Sequence, residues 1–239
     1  MISVIKAIVF DLDHTLFDRY ETLRLVVPMF REKFSINPEI TDDYFAKELI
    51  WADKNFVHRG WKEIFAHLIK CNIFTDAPTF EEYEAYMISC FKRVAVKYPF
   101  AIPTLEKIRE MGYKTGLITN SDTHVQERKL EMLGLYPYLD EIVISGAVGY
   151  RKPQKEIFQL MADKLGIETN EMMFVGDHPA FDVDGSRNAG CIPVWVKTTG
   201  TWIYPEIEKP ELQVETVEEI PEIVLEQIAI SKQQLANSN

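Results

Sequence analysis

Four short clusters of polar residues in this chain each follow a mostly apolar run, and carboxylates dominate two of them. The first cluster is Asp11-Leu12-Asp13-His14-Thr15, which comes directly after residues 4–10. Asp11 and Asp13 fall on the same side of an extended chain, where like charges repel unless a cation or a shared proton compensates. Because unpaired charge at a strand end is costly, we interpret this pair as functional rather than structural.

The other carboxylate cluster contains Gly176, Asp177 and Asp182, and it follows a later apolar run. The glycine permits a close approach of the backbone. Asp177 could be only a helix cap, but its combination with Asp11 and Asp13 favours a hard-cation site of oxygen ligands. A few carboxylates, with water and substrate oxygens completing an octahedron, favour Mg²⁺ over Ca²⁺.

The two remaining clusters carry groups that attract anions. Thr119-Asn120-Ser121 ends one apolar run, and hydroxyl and backbone N–H groups at a helix start form an anion site. Ser and Asn are also ordinary capping residues, so this motif alone leaves both interpretations open. Tyr150-Arg151-Lys152-Pro153 contains a basic pair of the kind usually found on a solvated surface. A lysine beside carboxylates and a phosphate would instead neutralise charge as a point cation.

The elements that must position these clusters alternate along the chain. Short apolar runs predict strands over 4–10, 114–118, 141–144, 172–175 and 192–196. We predict helices that begin with Pro103, after a Ser121 cap and with Pro153, and a last helix over 217–230. This alternation predicts an α/β fold with a doubly wound, Rossmann-like parallel sheet. Since parallel strands share one carboxyl edge, all four clusters are expected to meet there.

Residues 18–97 interrupt the alternation, because they contain no convincing strand and are typical of several amphipathic helices. Thr41 is a candidate cap, and Thr79 and Glu82 have the spacing of a capping box. An insert of this length exceeds an ordinary connection. We therefore predict an α/β core domain over 1–17 and 98–239, and an inserted all-helical cap domain over 18–97 placed over the carboxyl edge of the sheet.

Taken in order, the four clusters resemble the motifs of the haloacid dehalogenase (HAD) superfamily of phosphotransferases. Asp11-Leu12-Asp13-His14-Thr15 matches its Asp-x-Asp-x-Thr motif, Thr119 its second motif, Lys152 its third, and Asp177 with Asp182 its fourth. The helical insert also resembles the cap of the phosphatase branch that includes 5′-nucleotidases and phosphoglycolate phosphatase-like enzymes. The resemblance covers nearly the whole chain.

This resemblance implies a role for each matched residue. Asp11 would attack phosphorus and form an aspartyl-phosphate, Asp13 would act as general acid and then base, and Lys152 would stabilise the transferring phosphoryl group. Thr119 and the Asn120 backbone would hold phosphate oxygens. Mg²⁺ would bind the Asp11 carboxylate, the Asp13 backbone carbonyl and the Asp177 carboxylate. Asp182 would bind it through water or anchor Lys152.

The function implied is Mg²⁺-dependent hydrolysis of a small phosphorylated metabolite, with nucleoside 5′-monophosphates as the first candidates. A β-phosphoglucomutase-like phosphomutase would keep all four motifs and remains an alternative. A non-catalytic binding module is the other alternative, for which loss of Asp11, Asp13 or Lys152 would be the expected sign. The carboxylate of Asp13 argues against dehalogenation, because a leaving halide needs no protonation.

Part of the insert is a candidate substrate-binding surface. An unusual concentration of aromatic and basic residues there includes Trp51, Phe56, His58, Arg59 and Trp61. These side chains could form the roof of a pocket, or the aromatic ones could form the core of the cap domain. Arg19 and Tyr20 are further candidates for substrate contact.

Composition restricts the partners of the protein. The 239 residues include 37 acidic and 26 basic side chains, and the net charge of −11 disfavours binding to a nucleic-acid polymer. The apolar N-terminus is too short for a membrane span, so we expect a cytoplasmic protein without a membrane partner. We also expect a monomer or a homodimer. Cys71, Cys90 and Cys191 lie far apart, which predicts buried, reduced thiols rather than a disulfide framework or a zinc site.

Overall fold

The computed structural model describes residues 5–56, 60–199, 202 and 204–237. The chain divides into two compact units, one formed by Met1–Phe17 with Lys97–Asn239 and the other by Asp18–Val96.

The strands are β1 (Ala7–Phe10), β2 (Ser35–Ile36), β3 (Phe74–Asp76), β4 (Lys114–Thr119), β5 (Glu141–Ile144), β6 (Met172–Gly176), β7 (Ile192–Val196) and β8 (Leu212–Val214). The helices are α1 (Arg19–Lys33), α2 (Asp42–Phe56), α3 (Trp61–Lys70), α4 (Phe80–Phe91), α5 (Ala101–Glu110), α6 (Thr123–Leu133), α7 (Ser145–Val148), α8 (Lys155–Leu165), α9 (Gly185–Asn188) and α10 (Ile220–Asn237).

The first unit is built on a six-stranded sheet with the order β5-β4-β1-β6-β7-β8. Every neighbouring pair is parallel, so the predicted doubly wound α/β fold is confirmed. All four residues of β1 are buried, and because alternate side chains point to opposite faces, both faces of this central strand are covered. Ala7 and Val9 pack in one cluster with Phe158 and Met161 of α8.

Three helix starts in this unit differ from the prediction. Pro103 is the third residue of α5 rather than the first, which the first turn tolerates because its N–H groups have no partner within the helix. Asp122, and not Ser121, precedes α6, while the Ser121 N–H binds the Ser145 hydroxyl at 3.1 Å. Pro153 lies in the turn before α8.

Two further elements of this unit differ from the prediction. The edge strand β8 was not predicted, because three residues are too few to establish a period of two. At the C-terminus, Val217–Glu219 form a 3₁₀ turn, and α10 then continues to Asn237, beyond the predicted end near residue 230. In the part of the chain that the structure describes, none of the helices has the length and apolarity needed to cross a membrane.

The helical unit packs around a group of aromatic rings. Phe30 of α1 meets Phe45 of α2 and Tyr83 of α4 edge-on, with ring centroids 6.1 and 5.6 Å apart. All three side chains are fully buried, which places the apolar faces of these helices against one another.

Caps and a short sheet complete the helical unit. The Thr41 hydroxyl accepts a hydrogen bond from the Tyr44 N–H at 3.2 Å, and Thr79 and Glu82 form the predicted capping box at the start of α4. The antiparallel pair β2–β3 is an addition to the predicted helices. These strands of two and three residues are too short to leave a pattern in the sequence.

A buried ion pair joins α1 to α2. The Arg19 guanidinium donates to both carboxylate oxygens of Asp53 at 2.7 to 3.1 Å, and both side chains are buried. The guanidinium also lies over the rings of Trp61 and Phe91, 5.3 and 5.2 Å from their centroids. Arg19, a predicted candidate for substrate contact, is therefore part of the interior of the helical unit.

Replacing Asp53 with Ala should destabilise the protein, because it leaves the Arg19 guanidinium buried without its carboxylate. We expect a loss of about 3–5 kcal/mol in the free energy of unfolding, measured by urea denaturation followed by circular dichroism. The matched control is the double variant Arg19→Met/Asp53→Leu, which should recover most of the loss. An Asp53→Ala variant as stable as the wild type would contradict a stabilising role for the pair.

Candidate active site

Two neighbouring strands of the sheet deliver carboxylates to one place. Asp11 follows β1 and Asp177 follows β6, and these strands are paired so that Phe10 lies opposite Val175. The Asp11 N–H extends this pairing with a 2.9 Å bond to the Val175 carbonyl. Carboxylate oxygens of Asp11, Asp177 and Asp182 all lie within 4.8 Å of one another, and all three residues are buried.

Lys152 lies among these carboxylates. Its ammonium nitrogen is 2.5 Å from Asp11 Oδ1 and 2.7 Å from Asp182 Oδ1, and its side chain is 2% exposed. Asn120 holds the backbone of Lys152: its side-chain amide donates to the Lys152 carbonyl at 3.0 Å and accepts from the Lys152 N–H at 2.9 Å. Lys152 is therefore not on a solvated surface, and the Asn120 side chain fixes its position, a role that the sequence did not predict.

Asp182 is positioned by the turn that follows β6. The chain forms a π-helical turn over Pro179–Asp184, and the His178 N–H donates to Asp182 Oδ2 at 2.9 Å. A Cβ atom added at Gly176 would lie 2.5 Å from the Asp182 carboxylate. Any larger residue would therefore displace Asp182 from Lys152, which explains the glycine that ends β6.

With all its groups ionised, the buried cluster carries more negative than positive charge, because it holds three carboxylates and one ammonium. The pKa of Asp11 is raised to about 7: burial is the main cause, the carboxylates of Asp182 and Asp13 act in the same direction, and Lys152 opposes the shift. Burial and the same excess of carboxylates raise the pKa of Asp177 well above its usual value. Burial alone would lower the pKa of Lys152, but Asp11 and Asp182 raise it above its usual value. A divalent cation would neutralise the excess charge, and hard oxygen ligands suit such an ion.

Asp13 has its own cationic partner, which sequence analysis missed. Lys129 of α6 donates to the two Asp13 carboxylate oxygens at 2.8 and 3.0 Å, and its side chain is 5% exposed. The buried amide of Gln126 donates to Asp13 at 3.0 Å and to the Thr119 hydroxyl at 2.7 Å. The sequence does contain a signal for these two residues: Gln126 and Lys129 are three apart in the helix that follows Thr119, so they lie on one face of it.

The Trp51–Trp61 segment is only partly described, since His58 and Arg59 lie outside the described residues. Trp51 is 46% exposed, so it does not belong to a core of the helical unit. Trp61 packs edge-on against the buried Phe91, with centroids 5.7 Å apart. The segment thus combines one exposed and one packed tryptophan.

Tyr20, the remaining candidate for substrate contact, has a lysine beside its ring. Lys54 lies over the Tyr20 ring, 4.8 Å from its centroid.

Cys90 and Cys191 are buried, and neither is in a disulfide. Cys71 is a free thiol too, but it is only partly buried, so the prediction of three buried thiols was wrong at this position because the residue follows the last turn of a surface helix.

Comparison with known proteins identifies the family. A family model described as haloacid dehalogenase-like hydrolase matches residues 5–190. The chain therefore belongs to the haloacid dehalogenase-like hydrolases, and the predicted membership is confirmed.

Individual relatives are phosphatases. The chain is 28% identical to the glyceraldehyde 3-phosphate phosphatase of Methanocaldococcus jannaschii over 92% of this chain and 96% of that protein. It is 33% identical to the protein of the same name from Methanopyrus kandleri, over 54% of this chain and 57% of that protein. It is 34% identical to the pyrimidine 5′-nucleotidase YjjG of Escherichia coli over 46% of this chain, and spans about half (48%) of that protein.

A solved structure supports the fold. The HAD-hydrolase YfnB from Bacillus subtilis, bound to magnesium, superposes with a TM-score of 0.73 and 20% identity, over 93% of this chain and 99% of that chain. At this identity the likeness concerns the fold and not the reaction.

Replacing Asp177 with Asn should raise the thermal midpoint of the metal-free protein, because it removes one of the excess buried charges. A carboxyl whose pKa is raised by folding, as that of Asp177 is, contributes most to stability below its unfolded-state pKa of about 4. That contribution is lost as pH rises through the raised pKa of the folded protein. We therefore expect a gain of a few degrees at about pH 8 and a smaller one at about pH 5, by thermal melts in EDTA.

The control is Glu211→Gln, which removes an exposed carboxylate and should leave the midpoint unchanged at both pH values. A lower midpoint for Asp177→Asn at about pH 8 would contradict an excess of negative charge in the cluster.

Proposed function

We propose that the chain is a Mg²⁺-dependent phosphomonoester hydrolase that acts on a small phosphorylated metabolite through an aspartyl-phosphate. The observation that carries this proposal is the buried set formed by Asp11, Asp177, Asp182 and Lys152. Such a set combines a nucleophile with the positive charge that an incoming phosphate requires.

The carboxylates of Asp11 and Asp177, with the backbone carbonyl of Asp13, would hold the Mg²⁺. Asp182 is engaged by Lys152 and by the His178 N–H, which favours an anchor for Lys152 over a metal ligand. The bound ion would supply Lewis-acid stabilisation of charge on the phosphoryl oxygens.

The reaction would proceed in two displacements carried by Asp11 and Asp13. A carboxylate oxygen of Asp11 forms a bond to phosphorus as the bond to the leaving alcohol breaks, and Asp13 gives that alcohol its proton. Asp13 then takes a proton from a water molecule whose oxygen attacks phosphorus. The bond to Asp11 breaks, and inorganic phosphate leaves with the carboxylate restored.

Thr119 and Lys152 would hold the phosphoryl group during both steps. The Thr119 hydroxyl accepts a hydrogen bond from Gln126, so its own hydrogen can be donated to a phosphate oxygen. The Lys152 ammonium reduces the repulsion between the Asp11 carboxylate and the dianionic substrate. The Asn120 backbone N–H is proposed as a second donor.

Lys129 and Gln126 are proposed as positioning residues for Asp13. They bind its carboxylate from α6 and would keep it on the side from which the alcohol departs. The effect of Lys129 would be on proton transfer rather than on phosphate binding, whereas Gln126 also orients the Thr119 hydroxyl that would hold phosphate.

The named relatives favour triose phosphates and nucleoside monophosphates as substrates to test first. The relative matched over almost its full length is named for glyceraldehyde 3-phosphate, and a shorter match is named for pyrimidine nucleotides. Both names describe net phosphate release, which supports hydrolysis over a phosphomutase reaction. A phosphate-release screen of phosphometabolites with Mg²⁺, repeated with a sugar bisphosphate activator, would separate the two reactions.

Replacing Asp11 with Asn should abolish turnover of 4-nitrophenyl phosphate, because an amide cannot form the aspartyl-phosphate. We expect a loss of at least about 10³-fold in kcat, and the same loss for the wild type in EDTA with recovery on adding Mg²⁺. Glu211→Gln serves as the control and should keep full activity. Undiminished hydrolysis by Asp11→Asn would refute the proposed nucleophile.

Replacing Lys129 with Met should slow substrates whose leaving group needs a proton more than substrates whose leaving group does not. For an alkyl phosphate we expect kcat to fall by about 10–10²-fold, and for 2,4-dinitrophenyl phosphate by only a fewfold. KM should change little, and Lys129→Arg should restore part of the alkyl phosphate rate.

The control for this experiment is Lys107→Met, which removes an exposed lysine. An equal loss with both substrates would contradict a positioning role, because a general structural defect would not distinguish the leaving groups.

A further inference from the structure

A second group of possible metal ligands lies in the helical unit, between α2 and α3. Glu48 belongs to α2, His67 belongs to α3, and Cys71 follows the last residue of α3. His67 Nε2 is 2.8 Å from Glu48 Oε2, and Cys71 Sγ is 3.4 Å from that oxygen and 3.3 Å from that nitrogen. Three donors of different chemistry therefore converge on one point.

Two of the three distances are close to those of a zinc coordination sphere. With zinc–sulfur bonds of about 2.3 Å, zinc–nitrogen and zinc–oxygen bonds of about 2.0–2.1 Å and tetrahedral angles, sulfur lies roughly 3.5–3.6 Å from each other donor, and nitrogen lies roughly 3.3–3.4 Å from oxygen. The distances from Cys71 Sγ, 3.4 and 3.3 Å, are within about 0.2 Å of the first value. The larger change is in the 2.8 Å separation of His67 from Glu48, which must widen by about 0.5 Å through rotation of the flexible Glu48 side chain.

The protein fixes these donors through helix geometry and packing. His67 and Cys71 are four residues apart, so they project from one face of the helix end. The Trp51 ring stacks on the His67 imidazole with centroids 4.6 Å apart and an interplanar angle of 27°. This stacking holds the imidazole plane while Nε2 points to Glu48 and Cys71.

The cluster is also accessible to an ion and to water. The side chains of Glu48 and His67 are each 17% exposed, and Cys71 is partly exposed. A water molecule can therefore complete a tetrahedron as the fourth ligand. Three protein ligands and one open position are the arrangement of zinc sites that are not fully closed.

We propose that Glu48, His67 and Cys71 form a zinc-binding site in the helical unit. The mixed sulfur, nitrogen and oxygen donors select zinc over Mg²⁺, whereas the oxygen-only set of Asp11, Asp177 and Asp182 has the opposite preference. Zinc replaces the thiol proton of Cys71, which passes to solvent, and the His67 ring proton moves from Nε2 to Nδ1 by exchange with solvent, so that the Nε2 lone pair binds the ion. The hydrogen bonds of Cys71 and His67 to Glu48 give way to three metal bonds, one from each side chain. The ion joins α2 to α3.

Titration with Co²⁺ tests the site directly, because a cobalt–thiolate bond gives a charge-transfer band that carboxylates cannot give. The full chain is reduced, desalted and kept in excess Mg²⁺, so that the carboxylate cluster of the first unit does not compete. We expect the band to saturate at one equivalent of Co²⁺ and to disappear when Zn²⁺ is added. No band in the wild type would overturn the proposal.

Variants identify the ligands. Cys71→Ser should lose the band, and His67→Gln and Glu48→Gln should each weaken Co²⁺ binding by at least about tenfold. Cys90→Ala and Cys191→Ala are matched controls, since both thiols are buried, and they should keep the band. A band that survives in Cys71→Ser, or that is lost in Asp177→Asn, would overturn the proposal.

Thermal melts give a second readout that does not depend on absorbance. Zn²⁺ should raise the melting midpoint of the wild type but not that of Cys71→Ser, whose fold is checked by circular dichroism. An equal rise in both proteins would place the ion elsewhere. Neither measurement uses phosphatase activity, so the result is independent of the proposed function.

Discussion

The position of Lys152 among Asp11, Asp177 and Asp182 is the constraint on which the first unit depends. An ammonium and three carboxylates are removed from water there, and the cost of burying them is offset by their mutual attraction and by hydrogen bonds such as that from the His178 N–H to Asp182. Several local features follow from this requirement: Gly176 has no side chain, so Asp182 can approach, and the Asn120 amide holds the Lys152 backbone. Because one ammonium does not balance three carboxylates, the cluster suits the further cation that we propose it binds.

Asp13 is only two residues from Asp11, yet its surroundings differ. The strand direction carries Asp11 into the buried cluster, while the carboxylate of Asp13 meets Lys129 and Gln126 of α6. Asp11 thus pairs with Lys152 and Asp13 pairs with Lys129, so the two carboxylates have different electrostatic surroundings although they are close in sequence. The net acidity of the chain is compatible with an anionic substrate if the proposed Mg²⁺ joins Lys152 and Lys129 in offsetting the carboxylates of the site.

The two proposed metal sites differ in the elements that build them. The carboxylate cluster draws on loops after parallel strands, whose shared edge brings together residues far apart in sequence. The Glu48–His67–Cys71 cluster lies on one face of α3 and on the neighbouring α2, so an ion bound there would join the two helices. One chain therefore offers an oxygen-only site and a mixed-donor site, and donor chemistry assigns a different ion to each.

The sequence by itself determined most of the parallel sheet, because five of its six strands have an apolar run of their own. It also predicted that Asp11, Lys152 and Asp177 would lie together, through the motifs that follow those runs. It could not give the strands β2, β3 and β8, which are too short to carry a period. The partners Gln126 and Lys129, and the meeting of Glu48 with Cys71, were also decided only by the tertiary structure. Local patterns report what a residue does along its own element, whereas these contacts depend on how separate elements pack against one another.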